Sequence, residues 1–287
     1  MDIKQLTYFV STVQEGNISK AAEKLNISQP PLSTKLKELE NELGVILFER
    51  GPRKIELTQA GRIFYKRATS ILEQMSIAKK ELEDYNSGKM GTLRLGIISS
   101  IGSTIINEWL TSFHQEYPEI RFNIFEGNTY EQVDRLRNNL IEAAIVRTPF
   151  SAPDLACTVL RKEKVYAIGH AQYFEDLPHP SISLSEIYEK PLILYRRWEK
   201  IFQRIAHEKS LNPSIFCMND DARTTASMAN SGLGIGIIPE SALPLLFSSN
   251  IEKRVISDEG LESNICLLRN PNSYLSTVME LFYQFLV

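Results

Sequence analysis

The chain has 287 residues, a length that corresponds to about two domains of ordinary size. Hydrophobic residues make up 43% of it and charged residues 23%, which is typical of a folded globular protein and excludes a disordered one. The 32 basic and 35 acidic residues give a net charge of −3. This balance excludes a uniformly basic protein, but it is compatible with a local basic surface.

Several other classes of protein are excluded by features that the sequence lacks. No apolar run approaches the roughly 20 residues that a membrane-spanning helix needs. The amphipathic pattern that starts at the amino terminus does not resemble a signal peptide. Cys157, Cys217 and Cys266 are too far apart for a disulfide framework or a CxxC metal site, and the histidines show no ligand spacing. We therefore expect a cytoplasmic protein with no metal ion and no cofactor.

Three short amphipathic helices are predicted in the first fifty residues, because apolar residues recur there at spacings of three and four. The second helix begins at Asn17 or Ser19. Ser28 precedes the third helix, whose first turn holds Pro30 and Pro31, where a missing N–H costs little. The apolar faces are formed by Ile3, Leu6, Phe9, Val10 and Val13 in the first helix, Ala21, Ala22 and Leu25 in the second, and Leu32, Leu36, Leu39 and Leu43 in the third.

The small alanines at the crossing of the second and third helices are typical of a helix-turn-helix motif, here at about residues 18–37. In this motif the amino-terminal half of the last helix lies in the major groove of DNA. Short polar side chains reach base edges there, and lysine bonds phosphate. Thr34 and Lys37 face away from the apolar stripe and fit these roles. The alternative is an ordinary three-helix subdomain with a solvated polar face.

A small hairpin is predicted next. Residues 45–50 and 54–57 form two strands around the turn Gly51-Pro52-Arg53. Arg50, Arg53 and Lys54 lie at the tip of this hairpin. Such a tip suits a wing that places guanidinium groups in a minor groove or along phosphates.

The clearest periodic pattern in the chain is a heptad seam that follows the hairpin. It consists of Phe64, Ala68, Ile71, Met75, Ala78, Leu82 and Tyr85, at alternating spacings of four and three. An apolar stripe only two residues wide is too narrow to pack against a broad core and is the width that one partner helix covers. We therefore expect a partner helix from a second copy of the chain. The alternative is that the helix packs against the body of its own chain.

From residue 92 onward, predicted strands alternate with predicted helices. This alternation builds a parallel sheet with right-handed crossovers. A similar pattern fills residues 155–265, and a last strand and a last helix end the chain. The first predicted strands cover residues 92–98, 120–125 and 143–146, and the helices between them run from Ser99 to about Glu116 and from Asn128 to about Leu140.

Three of these strands are followed by polar groups that could bind an anion. Ser99 and Ser100 follow the first strand, Asn128 opens the helix after the second, and Arg147 follows the third. Open α/β sheets bind ligands beyond the carboxyl ends of their strands, where helix amino termini point their amides. Hydroxyl-rich helix starts that face an arginine suit a carboxylate. The alternative is that Ser and Asn are ordinary helix caps and that the arginine pairs with a nearby acid.

The sequence shows no catalytic constellation. It contains no nucleophile elbow, no metal cluster and no phosphate-binding loop. The glycines in residues 232–236 enter a strand instead of opening a helix, so they do not match the dinucleotide fingerprint. We therefore expect no catalytic residues and no enzyme activity.

Several segments together resemble the LysR-type transcriptional regulators, and the similarity covers the whole chain. In this order and spacing the segments are highly specific for that family. They are Leu6-Thr7-Tyr8-Phe9, Asn17-Ile18-Ser19-Lys20-Ala21-Ala22-Glu23-Lys24-Leu25, Ser28-Gln29-Pro30-Pro31-Leu32-Ser33, Leu47-Phe48-Glu49-Arg50 and Leu57-Thr58-Gln59-Ala60-Gly61.

The resemblance implies an α/β protein with three parts. These are a winged helix-turn-helix DNA-binding domain at residues 1–58, a dimerising linker helix at 59–88 and a two-lobed effector-binding domain at 91–287. The last part is similar to periplasmic solute-binding folds, with lobe boundaries at about 91–161 and 266–287 for the first lobe and about 162–265 for the second. The family also implies a homotetramer assembled as a dimer of dimers.

The resemblance further implies which residues contact the ligands. The DNA-contacting positions of the family match Gln29, Pro30, Ser33, Arg50 and Arg53 here, while the residues after Ser33 are Thr34-Lys35 instead of the common Arg-Gln. In the effector domain the arginine at 147 resembles the branch that regulates aromatic-acid catabolism. The effector-binding positions are Ser99, Ser100, Asn128 and Arg147 from the first lobe, and Tyr195, Arg196 and Thr224, within 221–225, from the second.

These observations predict a sequence-specific DNA-binding transcriptional regulator that responds to a small, carboxylate-bearing effector. Its expected partners are double-stranded promoter DNA, the effector and further copies of the chain. The alternative function is that of a solute-binding protein without a transcriptional role.

Overall fold

The computed structural model describes residues 1–50, 55–86, 91–102, 104–177, 179–246, 250–273 and 275–287, without the side chains of 50, 80, 81 and 83–86. The chain divides into two compact units, Met1–Gly88 and Lys89–Val287. Within the described ranges, no helix has both the length and the apolar character required to cross a membrane.

The first unit consists of four helices and a two-stranded hairpin. Helix α1 begins with a capping box in which the Asp2 carboxylate accepts the N–H of Gln5 at 2.7 Å, and it ends at Gly16 in the left-handed conformation. Asn17, and not Ser19, caps helix α2. The elements are α1 Ile3–Glu15, α2 Ile18–Lys24, α3 Gln29–Leu43, β1 Phe48–Arg50, β2 Ile55–Leu57 and α4 Gln59–Asn86.

Strand β1 is shorter than the predicted strand over residues 45–50. The N–H groups of Leu47 and Phe48 donate to the Glu40 carboxylate on α3, at 2.8 and 3.2 Å, so the segment before Phe48 is held by a side chain instead of a strand partner. The same segment approaches the start of α4 closely. A Cβ built at Gly61 would lie 2.1 Å from the carbonyl oxygen of Leu47, so this position requires glycine.

The core of the first unit is centred on Phe9, which is fully buried. Its ring lies 5.1 Å from the ring of Phe48 and 5.0 Å from that of Phe64. The predicted apolar residues of α2 and α3 also enter this core, because Ala21, Ala22, Leu32, Leu36 and Leu39 are all buried. The hairpin and the start of α4 therefore close the same core as the three helices.

The heptad seam of α4 divides into two parts. Ala68 is fully buried and Phe64, which is partly buried, packs on Phe9, so both side chains contribute to the core of their own unit. Ala68 is therefore not open to a partner helix. Both positions lie where the helix crosses α1. The later positions are exposed, with 40% of Ile71, 47% of Met75 and 66% of Leu82 open to solvent, and Ala78 exposed beside them.

The second unit contains seven helices and ten strands in its described residues. Its helices are α5 Ser99–Gly102, α6 Ile105–Glu116, α7 Thr129–Arg137, α8 Leu184–Ile187, α9 Glu199–Glu208, α10 Ala222–Asn230 and α11 Thr277–Leu286. Its strands are β3 Thr92–Ile98, β4 Arg121–Gly127, β5 Ala143–Arg147, β6 Ala156–His170, β7 Ser181–Ile182, β8 Leu192–Tyr195, β9 Ile215–Asn219, β10 Ile235–Pro239, β11 Ile251–Ile256 and β12 Glu262–Arg269.

Two predicted helices are shorter than expected. The helix predicted from Ser99 to Glu116 is two helices, α5 and α6, because the chain turns where the N–H of Thr104 bonds the carbonyl of Ile101. The helix after Asn128 ends at Arg137 and not near Leu140, because Asn139 adopts a left-handed conformation that stops it.

The strands follow the order β4-β3-β5-β12-β6-β10-β8-β9, with β11 beside β6 and β7 beside β11. Strand β3 is parallel to β4 and β5, as predicted, and β8 is parallel to β9 and β10. Strands β12 and β6 run antiparallel to their neighbours, so the sheet is mixed. β6 is 15 residues long and pairs with β12 along its first part and with β10 and β11 along its second.

Two hydrophobic cores form in this unit, one against the first part of β6 and one against its second part. One contains residues between 93 and 155 together with 265–282, and we call the part of the chain around it lobe I. The other contains residues between 165 and 261, and we call its surroundings lobe II. The carboxyl ends of β5 in lobe I and of β8 in lobe II carry the polar residues that form the site described next.

Candidate functional site

Helix α3 presents a polar face on the surface of the first unit. Gln29, Pro30, Thr34 and Lys37 are exposed, and Ser33 is half-buried. The Thr34 hydroxyl donates to the carbonyl of Pro30 at 3.0 Å, which keeps it on this face. These predicted DNA-contacting positions therefore lie together on one surface, opposite the buried leucines of the helix.

The wing is only partly described. Arg53 lies outside the described residues, and so does the side chain of Arg50, although its backbone pairs with Ile55 in the hairpin. Sequence reasoning gave no role to an exposed ion pair on α3, in which Lys35 donates to Glu38 at 2.6 Å. The hydrogen bond and charge of Glu38 raise the pKa of Lys35.

In the second unit, Arg147 is wholly buried, which contradicts its predicted position in an open cleft. Its Nε atom pairs with the Glu163 carboxylate at 3.0 Å, and its two Nη atoms donate to the hydroxyls of Ser100 and Ser241, each at 2.6 Å. The second oxygen of Glu163 accepts the N–H of Ser241 at 3.0 Å. Both charges are thus satisfied inside the protein, and neither Arg147 nor Ser100 is open to a ligand.

A cavity of about 630 Å³ lies near the carboxyl ends of β5 and β8. It takes residues from both lobes and combines aromatic walls with several cationic side chains. Its described lining consists of Asn128, Thr129, Tyr130, Pro149, Phe150, Ser151, Tyr195, Arg196, Arg197, Glu199, Lys200, Ile201 and Asp220.

The cavity brings together three of the predicted effector-binding residues, Asn128, Tyr195 and Arg196. Ser99 opens α5 and Thr224 is exposed on α10, and neither is among the lining residues. Their assignment to the effector site therefore stays a prediction, and this cavity does not support it.

Asn128 caps helix α7 and does not present a free amide oxygen to the cavity. Its Oδ1 accepts the N–H groups of Tyr130 and Glu131, at 2.9 and 3.0 Å. The alternative interpretation of this residue, as an ordinary helix cap, therefore describes its side-chain oxygen correctly.

The adjacent arginines at the end of β8 have different partners. Arg196 is half-exposed and pairs with Asp220 at 2.6 Å, within its own lobe. Arg197 crosses to lobe I, where its Nη2 donates to the Thr129 hydroxyl at 2.7 Å and its Nη1 donates to the carbonyl oxygens of Arg147 and Pro149. The sequence analysis placed Arg196 in the site and did not include Arg197.

A second contact crosses between the lobes at the start of α10. Arg223 pairs with Glu126, the residue before the end of β4, at 2.8 Å, and with Asp221 on its own lobe at 2.8 Å. Hydrogen bonding to Asp221 is the main reason that the pKa of Arg223 is raised. Because this pair is partly exposed, it contributes little to stability.

Comparison with known proteins assigns both units. Residues 3–62 match the bacterial regulatory helix-turn-helix proteins of the lysR family, and residues 86–287 match the LysR substrate binding domain. The chain belongs to the LysR family. It is a DNA-binding transcriptional regulator with an effector-binding domain, which confirms the prediction of a transcriptional regulator and removes the alternative of a solute-binding protein. The carboxylate-bearing effector stays a prediction.

Individual relatives agree with this assignment. The transcriptional regulator BsdA of Bacillus subtilis is 32% identical and covers 98% of this chain and 99% of its own length. BenM of Acinetobacter baylyi is 28% identical, over 84% of this chain and 81% of its own. These homologues are transcriptional regulators and not enzymes.

Solved structures show the same fold. Full-length CbnR in complex with its target DNA superposes with a TM-score of 0.82 at 22% identity, over 100% of this chain and 99% of its own. Full-length BenM superposes with a TM-score of 0.59 at 26% identity, over 100% and 95% of the two chains. The predicted architecture of an N-terminal helix-turn-helix unit and a C-terminal α/β effector domain is thus confirmed.

We expect the buried ion pair of Arg147 and Glu163 to affect the free energy of unfolding of the second unit. Replacing Arg147 by Met leaves the Glu163 carboxylate without a cation in a dry site, so we expect a loss of about 3–5 kcal/mol in the free energy of unfolding. The measurement is urea unfolding followed by tryptophan fluorescence, because both tryptophans, Trp109 and Trp198, lie in this unit.

The matched control is the double variant Arg147→Met/Glu163→Leu. Removing both charges takes away the cost of an unpaired ion, so the double variant should be more stable than Arg147→Met alone. A single variant as stable as the wild-type protein would contradict the buried network.

Proposed function

We propose that this regulator reads promoter DNA through helix α3 and the wing, and that a small carboxylate bound in the cavity between the two lobes controls its activity. The observation that carries the proposal is the lining of this cavity. The cations Arg196, Arg197 and Lys200 stand beside the aromatic side chains of Tyr130 and Phe150. An anionic group on an apolar body matches such a lining.

The proposed DNA-binding set is Gln29, Pro30, Ser33, Thr34, Lys37, Arg50 and Arg53. Its support is the exposed polar face of α3, where short side chains and a lysine lie side by side. Short polar groups suit base edges, while the cations suit phosphates. We place the protein in the cytoplasm together with this DNA.

We also propose that α4 pairs two copies of the chain. Its exposed stripe of Ile71, Met75, Ala78 and Leu82 keeps the spacing of four and three, which suits a second helix with the same stripe. Two such dimers would form a tetramer. We retain residues 1–58, 59–88 and 91–287 as the DNA-binding, linker and effector parts, with the lobe boundaries given above.

The proposed contact of α3 with DNA predicts a change in salt dependence. Lys37→Ala removes one cation from the interface, so affinity should fall for all sequences and the slope of log K against log salt should become shallower by about 0.9. Gel-shift titrations on DNA from the region upstream of the gene measure this slope. Lys253→Ala, an exposed lysine on β11, is the matched control, and an equal change in both variants would refute the role of Lys37.

The α4 stripe predicts a loss of the dimer. Met75→Lys places a charge in a seam that pairing would desolvate, so the dimer dissociation constant should rise by at least about tenfold. Ser76→Lys adds the same charge at the exposed neighbouring position, where we expect a change within about twofold. Sedimentation velocity measures both, and an intact Met75→Lys dimer would rule out this seam.

The effector part of the proposal is tested with benzoate and benzamide, which share an aromatic ring but differ in charge. Isothermal titration of the full chain should detect benzoate binding and little or no benzamide binding, because only the carboxylate can pair with the cavity cations. Benzoate should then change the affinity for upstream DNA in gel-shift titrations. Equal binding of both compounds, or binding of neither, would contradict the proposal.

A further inference from the structure

Arg197 differs from the other arginines near the cavity in how its charge is balanced. Arg147 pairs with Glu163, Arg196 with Asp220, and Arg223 with two carboxylates. Among the residues that the structure describes, Arg197 bonds only neutral acceptors. A half-buried guanidinium that lines a cavity without an acidic partner attracts an anion.

The position of Arg197 is fixed by its neighbours. It lies in a short 3₁₀ turn, Arg196–Trp198, between the buried side chains of Tyr195 and Trp198, whose rings are 5.4 Å apart. Its Nε donates to the Tyr195 hydroxyl at 3.1 Å, and its guanidinium lies 5.6 Å from the centre of the Tyr195 ring. The backbone of the turn therefore belongs firmly to lobe II.

The guanidinium of Arg197 is bonded to lobe I. Thr129 at the start of α7, and the carbonyl groups of Arg147 and Pro149 at the end of β5, accept three of its hydrogen bonds. An arginine has five N–H donors, and Tyr195 takes a fourth, so one donor and the whole positive charge are left for a ligand.

From this geometry we propose that Arg197 is the residue that couples effector binding to contact between the lobes. The ligand is the class already proposed for the cavity, a small carboxylate, so the inference rests on the proposed function. A carboxylate that binds Arg197 contacts a group whose position depends on acceptors in lobe I and on a backbone in lobe II. Its binding favours the arrangement in which both sets of bonds are made.

The experiment compares variants of the full chain with benzoate as the probe. Arg197→Ala removes both the charge and the bridge, so the dissociation constant for benzoate should rise by at least about tenfold. Arg197→Lys keeps a charge but lacks the planar fork that reaches three acceptors, so it should retain more of the affinity and still lose the bridge.

The second measurement is hydrogen exchange in lobe I, in peptides that cover residues 126–131 and 148–152. Benzoate should slow exchange there in the wild-type chain and in the control Arg204→Ala, but not in Arg197→Lys. An arginine that merely stabilises the fold would change exchange without benzoate and leave the benzoate-dependent difference intact. Arg204→Ala, on an exposed face of α9, controls for the loss of one positive charge from lobe II.

The outcomes separate the two proposals. Unchanged benzoate affinity in Arg197→Ala, or full lobe I protection in Arg197→Lys, would overturn the coupling role while the proposed effector class stands. A wild-type chain that does not bind benzoate would overturn the effector proposal and the coupling together. Tight binding to wild type, weak binding to Arg197→Ala and unprotected lobe I in Arg197→Lys would support both.

Discussion

The ion pair of Arg147 and Glu163 lies in the interior of the effector domain, where neither side chain reaches solvent. Removing two charges from water is costly, and this cost is offset only when the remaining donors and acceptors are bonded as well. Ser100 in lobe I and Ser241 in lobe II supply those bonds. The network joins β5, α5, β6 and the turn after β10, so it links the two lobes beside the shared strand.

Because Arg147 is used inside the protein, the charge available to a ligand comes from elsewhere. The cavity lies just beyond the buried network, and Arg197 links the two, since it bonds the carbonyl oxygen of Arg147 and also lines the cavity. Arg147 thus stabilises the fold, and Arg197 faces the cavity. Arg196, which precedes the second of them, is neutralised by Asp220 at the rim.

The DNA-binding unit shows a similar division along a single helix. The first seam positions of α4, at Phe64 and Ala68, complete the core around Phe9. The later positions, such as Met75 and Leu82, leave an apolar stripe exposed. A LysR-family regulator needs a folded DNA-binding unit. The periodic pattern of α4 completes the core of that unit with its first positions and offers an apolar stripe suited to a second copy with its later ones.

The sequence by itself indicated the three helices of the DNA-binding unit, the alternation of strands and helices after residue 92 and many of the buried apolar residues, because periodicity is a local property. It also named Asn128, Tyr195 and Arg196, which the structure brings together at one cavity. Only the tertiary structure decided that Arg147 is buried and that Arg197 crosses between the lobes. Both outcomes depend on partners distant in sequence, Glu163 for the first and Thr129 for the second, and no local pattern shows which way a side chain turns at a strand end.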